Sequence, residues 1–228
     1  MSGLQTIIDN CNGLTIDRRK VVGIQITRNE IPRISETPTK NPWKFVLDIA
    51  KGFRYNEARD LMEAIDTLDR TRPQIIKFSN NPNFRWMFRY QGQLTTSQQL
   101  ALIVSTFVGN QLVLSSLPAI ASNRVLFQPN DLIQIRGYPY PFTVVDQVLR
   151  GVGSTVTVTT SRPNIITSSV AGLGFNIGNN CEFKMFCPNM PTYKLNVGGR
   201  QIVGGVNFGN AFVTFEDSFQ LYEWVGEA

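Results

Sequence analysis

The chain has 228 residues, 42% hydrophobic and 11% aromatic, which suits one large or two small domains with a real core and excludes a disordered or fibrous chain. Only 17% are charged, against about 25% in an average soluble domain, and 19 Asn with many Ser, Thr and Gln take their place, a mix that argues against an all-helical protein. The net charge of +5 lies wholly in residues 1–100, where 15 Lys and Arg face 10 Asp and Glu; residues 101–228 hold seven of each.

Residues 1–20 contain Asp9, Asp17, Arg18, Arg19 and Lys20 without a long apolar run, so no secretory leader is expected. KVVGIQITRNEI at 20–31 alternates Val22, Ile24 and Ile26 with Gly23, Gln25 and Thr27, as a half-buried strand does. Pro32, Pro38 and Pro42 among Ser, Thr and Lys predict an extended loop over 32–42. A second strand, 43–49, puts Trp43, Phe45, Leu47 and Ile49 on one face. Ala58, Leu61, Met62, Ile65 and Leu68 follow helical spacing and predict an amphipathic helix over 56–69, ending before Pro73. Residues 74–78 and 84–92 read as a hairpin around Asn80–Asn83, with Phe84, Trp86, Phe88 and Tyr90 facing a core.

The uncharged stretch LALIVSTFVGNQLVL, 100–114, is too short and too often interrupted to span a membrane, so two β segments turning at Gly109-Asn110 are expected and no membrane insertion. Short β runs bounded by Gly, Pro and Asn follow, including a hairpin over 131–149 that turns at 137–141. CEFKMF, PTYKLNV and QIVGGV continue the pattern, and 210–225 is a long strand interrupted near Glu216-Asp217-Ser218. The composition break near 90–100 and this closing strand predict a nested arrangement. Residues 1–95 with 201–228 would form one β domain, and 96–200 a second β domain inserted into it.

Histidine is absent, which removes Ser-His-Asp and Cys-His nucleophile systems and His-ligated metals. Cys11, Cys181 and Cys187 do not make a CxxC pair and read as reduced thiols; Cys181 and Cys187, six apart, would share a strand face as small core residues. The clusters at Gly172–Gly178 and Gly198-Gly199 lack the spacing and helix of a phosphate loop. Glu216 and Asp217 are adjacent and would need a bulge to converge as an acid/base pair. No catalytic residue, metal site or cofactor is therefore expected. Lys77, Arg85 and Arg89 interleave with aromatics, but alternation puts rings and cations on opposite faces, where they cannot grip one nucleic-acid strand together. The proline-rich arm and the turn Tyr138-Pro139-Tyr140-Pro141-Phe142 are candidate docking loops, with Ile34, Pro38, Trp43, Tyr138 and Tyr140 as subunit-contact residues.

The order of strand, proline-rich loop, NPWKFVLDI, helix EARDLMEAIDTLDR, RPQIIKF and closing FVTFEDSFQLYEW resembles the tail-tube-like and distal-tail proteins of tailed bacteriophages. NDLIQIRGYPYPFTVVDQVLRGVGSTVTV is similar to the small β module that some tail components carry. The resemblance implies a mainly β (α+β) fold: a two-sheet sandwich or barrel with one flanking helix and an inserted small barrel or sandwich. It also implies a homo-oligomeric ring, usually a hexamer, between the tail tube and the baseplate hub of the virion, with DNA and the tape-measure protein passing through its lumen. Lumens in that family tend to be acidic, so the basic N-terminal part is expected to face outward or toward acidic neighbours. Two other readings stand beside it: a nucleic-acid-binding module with an oligonucleotide-binding-like barrel over 131–160, and a host-surface carbohydrate binder stacking sugars on Trp43 or Tyr138.

Overall fold

The structure, a computed structural model, describes residues 3–17, 22–26, 32–36, 42–49, 53–69, 72–189, 192–196 and 212–225. In chain order its elements are α1 (Gly3–Asn10), β1 (Gly13–Asp17), β2 (Val22–Ile26), β3 (Pro32–Glu36), β4 (Lys44–Asp48), β5 (Phe53–Arg54), α2 (Tyr55–Ala64), β6 (Gln74–Ile76) and α3 (Thr96–Ala101). There follow β7 (Ile103–Val108), β8 (Gln111–Ser115), β9 (Val125–Phe127), β10 (Leu132–Ile135), β11 (Phe142–Thr143), β12 (Val148–Leu149) and β13 (Val156–Thr159). β14 (Phe175–Ile177), β15 (Phe183–Phe186), β16 (Tyr193–Asn196), β17 (Phe212–Phe215) and β18 (Phe219–Glu223) complete the set. The protein is mainly β, its described strands paired antiparallel in several small sheets. No helix among the described residues is long and apolar enough to cross a membrane.

The chain divides into two compact units. The first joins 1–17, 43–86 and 183–224; the second joins 18–42, 87–182 and 225–228. The segment of the second unit that interrupts the first is 87–182.

The first unit is built on a five-stranded sheet of order β1-β4-β18-β15-β6. Alternation drives one face of it inward: Phe45 and Leu47 from β4, Phe219 and Leu221 from β18, Phe183 and Met185 from β15, and Ile76 from β6 are all buried. Phe78 closes this layer, 4.3 Å from Phe45 and 5.3 Å from Phe183 between ring centroids. Burying each such side chain is worth about 1.5–3 kcal/mol. α2 forms as its spacing predicts, with Ala58, Leu61, Met62 and Ile65 buried, and widens into a π-helical turn over Ile65–Asp69. It packs against α1 and, on its other flank, against β5 and β17 of a three-stranded sheet, β16-β17-β5. α1 buries Leu4, Ile7 and Ile8, and its end is capped from a distance. The Asn81 side-chain amide donates to the carbonyls of Ile8 (2.6 Å), which also accepts from the Cys11 N–H, and of Cys11 (2.8 Å), just past the helix end.

Two expectations fail in this region. Residues 84–92 do not make a strand. Asn81 accepts from the Asn83 N–H and starts a 3₁₀ turn with Pro82 at its first position, after which the chain coils through 85–88. Phe84 and Phe88 are then buried one helical turn apart, while Trp86 between them is 74% exposed. The stretch Pro32–Glu36 is strand β3, not loop, and pairs with β2; Pro32 sits at the ladder's end opposite Ile26, where a missing N–H costs least. Pro38 and QIVGGV lie outside the described residues. The interruption expected at Glu216–Ser218 is a bend, and it sends β17 and β18 into different sheets.

The second unit has its own apolar core, which includes Val104, Phe107, Leu112, Leu114, Phe127, Ile133, Phe142, Val158 and Phe175. β7 and β8 form the expected hairpin, and Gly109 at its turn takes φ +55°, a conformation that favours glycine. β10 pairs with β11 across the turn at 137–141, but β12 leaves to pair with β9. α3 opens on a capping box: Thr95 Oγ accepts from the Gln98 N–H and the Gln98 side chain from the Thr95 N–H. The strands over 131–160 belong to three small sheets.

Candidate functional site

The other face of the five-stranded sheet is open. Period two places Lys44 and Val46 of β4, Gln220 and Tyr222 of β18, Lys184 and Phe186 of β15, and Ile75 of β6 on it, and Trp224 extends β18 by one outward step. Phe186 pairs directly across from Tyr222, their rings 6.0 Å apart at 36°. Trp224 meets Phe186 edge to face at 5.7 Å and 86°. Its backbone N–H donates to the Lys184 carbonyl at 2.8 Å, so its position is fixed by the sheet. Lys184 stands opposite Ile75, and the Lys44 ammonium lies 5.3 Å from the centre of the Tyr222 ring. Trp224 is 40% and Ile75 58% exposed. Asp17, opposite Lys44, and Asp48 end the face on the β1 side. The result is a rigid aromatic patch with a cation on either side of it and carboxylates beyond one of them.

The residues expected to make contacts are elsewhere. Trp43 is 4% exposed, its ring parallel to Phe45 at 5.7 Å and edge-on to Phe183, and its backbone N–H donates to the Glu223 carboxylate at 3.0 Å. It is an inward residue because it shares the parity of Phe45. Tyr140 is 2% exposed in the core of the second unit. Neither ring is available to a neighbouring subunit or to a sugar. Tyr138 is half-buried, its carbonyl accepting from the Gln134 side chain at 2.9 Å. Ile34 lies on β3 opposite Ile24. The open face was legible in principle: FKMF and FQLYEW are apolar at both parities, the mark of a strand covered on both sides.

The remaining candidates are structural. The Arg85 side chain donates to the Ser79 carbonyl, and Lys77 exchanges backbone hydrogen bonds with the Gln5 side chain. Cys181 does not share a strand with Cys187: it precedes β15 and belongs to the second unit, Cys187 to the first. All three cysteines are buried thiols outside any disulfide, and burial pushes Cys11 up to about 12, where it stays protonated. Glu216 and Asp217 are both exposed, and Asp217 accepts from the Thr192 hydroxyl. Among the described residues no three or more Cys, Asp or Glu side chains gather as metal ligands. No protein-family model matches the chain, and a search of curated proteins finds no match.

Proposed function

We infer that this chain is a non-enzymatic structural subunit of a bacteriophage tail. It forms a ring, a homohexamer, at the junction of distal tail tube and baseplate, continues the DNA channel there and connects the tube to the hub. In this reading the first unit is the tail-tube-like two-sheet fold with α2 as its flanking helix, and 87–182 is the inserted module. The observation that carries it is the open sheet face. Ile75, Phe186, Tyr222 and Trp224 stand together on the solvent side of a rigid β scaffold, and contiguous apolar surface of this kind marks a contact with another protein. Obligate interfaces between ring subunits commonly bury over about 2,000 Å² in total, far more than a few loop residues supply. The resemblance in element order supports the same reading and supplies the virion location, with tube and hub proteins as neighbours and DNA and tape measure in the lumen.

The test is the assembly state of the purified full chain. Native mass spectrometry should find a hexamer and negative-stain microscopy closed rings. A monomer at every concentration tested, or turnover of a substrate, overturns the reading. Single-stranded nucleic-acid binding is a second reading, favoured by Lys44 and Lys184 beside three rings on one face. Binding of an oligonucleotide that falls steeply with salt would support it, and a flat salt response would remove it.

A further inference from the structure

We propose that the open face of the five-stranded sheet receives the outer, acidic stripe of α2 from a second copy of this chain. The proposal rests on the ring reading above and names the two surfaces that meet. The outer side of α2 exposes Glu57, Asp60 and Glu63, with Arg59 among them, and Asp66 is exposed in the π-helical turn that follows. The sheet offers the opposite arrangement, with Lys184 and Lys44 flanking Phe186, Tyr222 and Trp224, and Asp17 and Asp48 at one end. A helical face with four carboxylates and one guanidinium thus faces a sheet with two ammonium groups, one of them directly opposite Asp17, and with Asp48 at that same end. The charges complement each other in sign and are both mixed, which suits a protein surface better than a phosphate chain, whose platform needs one sign throughout. The ring geometry agrees: Trp224 stands at 86° to Phe186, a relief into which side chains fit, not a flat stacking surface for bases.

One copy cannot join these surfaces to each other. α2 turns its apolar side to α1, β5 and β17, and the open face is the side of the sheet opposite Phe78, so both point outward from the same unit. The contact is therefore heterologous, head to tail, and such contacts propagate until they close into a ring. The apolar centre provides the attraction and the charges set the register.

The experiment compares three forms of the full chain by analytical ultracentrifugation and negative-stain microscopy, with circular dichroism and the thermal midpoint as folding controls. One carries Lys44→Glu with Lys184→Glu, the second Asp60→Lys with Glu63→Lys, and the third Trp224→Ser. Each reversal alone should weaken association by about tenfold or more, an equal mixture of the two reversed chains should restore it, and Trp224→Ser should weaken it without responding to salt. Three results overturn the proposal: helix reversal without effect, no recovery in the mixture, or capture of a fluorescent oligothymidylate by the sheet face with association unchanged. Rings that ignore both reversals discard this pairing and keep the ring reading. Charge-dependent open filaments keep the pairing and discard the closed ring.

Discussion

Asp131 is buried, and its two carboxylate oxygens accept separately from the backbone N–H groups of Gln91 and Gln128, each at 2.8 Å. Burial raises its pKa and these hydrogen bonds oppose the rise without cancelling it. A carboxyl group whose folded pKa lies above its unfolded value binds protons more tightly in the folded state. Its contribution to stability is therefore greatest at low pH and declines as pH rises through the window between the ordinary 3.8 and the raised value. Asp131→Asn should remove that slope, which urea titrations across pH 3–7 on both proteins would show. At pH 7 the same substitution should cost about 1–3 kcal/mol, because an amide offers one acceptor where two N–H groups wait. Gly178 is a second single-residue constraint. Its φ is +57°, and a Cβ there would lie 2.8 Å from both the Phe88 carbonyl oxygen and the Tyr90 nitrogen. Gly178→Ala should cost at least about 1–3 kcal/mol by denaturant unfolding, from backbone conformation alone.

At the scale of elements, Asn81 decides how α1 ends. Replacing it with Ala removes the side-chain donor from both the Ile8 and Cys11 carbonyls, which should cost about 1–3 kcal/mol and lower the melting temperature by about 2–4 °C for each kcal/mol. Hydrogen exchange should accelerate in Gly3–Asn10 first. Such a cap is invisible in sequence because the partners are about 70 positions apart. What could be read was local and periodic: α2 from Ala58, Leu61, Met62 and Ile65, and the β7–β8 hairpin from Gly109-Asn110. Alternation misled at Phe84–Tyr90, where Asn81 and Pro82 had already committed the backbone to a turn. Proline content misled at Pro32–Glu36, where only the ladder's end lacks a donor. Trp43 and Tyr140 read as contact residues because nothing local tells an aromatic ring in a loop or strand end from one that fills a core. The open face was missed for the opposite reason: Lys184, Phe186, Tyr222 and Trp224 become neighbours of Lys44 and Ile75 only through strand pairing.

The whole molecule depends on pairings between distant parts of the chain. β18 lies between β4 and β15 in the five-stranded sheet, and Trp43 and Glu223, 180 residues apart, exchange two hydrogen bonds. Folding should accordingly be slow, in the millisecond-to-second range of non-local β topologies, as stopped-flow fluorescence of the tryptophans would measure. A chain stopped at Asp217 lacks the middle strand and should lose cooperative thermal unfolding of the first unit. Tyr222 and Trp224 travel on that same strand or one step beyond it. A nascent polypeptide still on the ribosome therefore exposes no finished aromatic patch until residue 224 has been added. The segment that makes the molecule adhesive is the one that completes its interior, so the sticky surface and the finished core of the first unit arrive together.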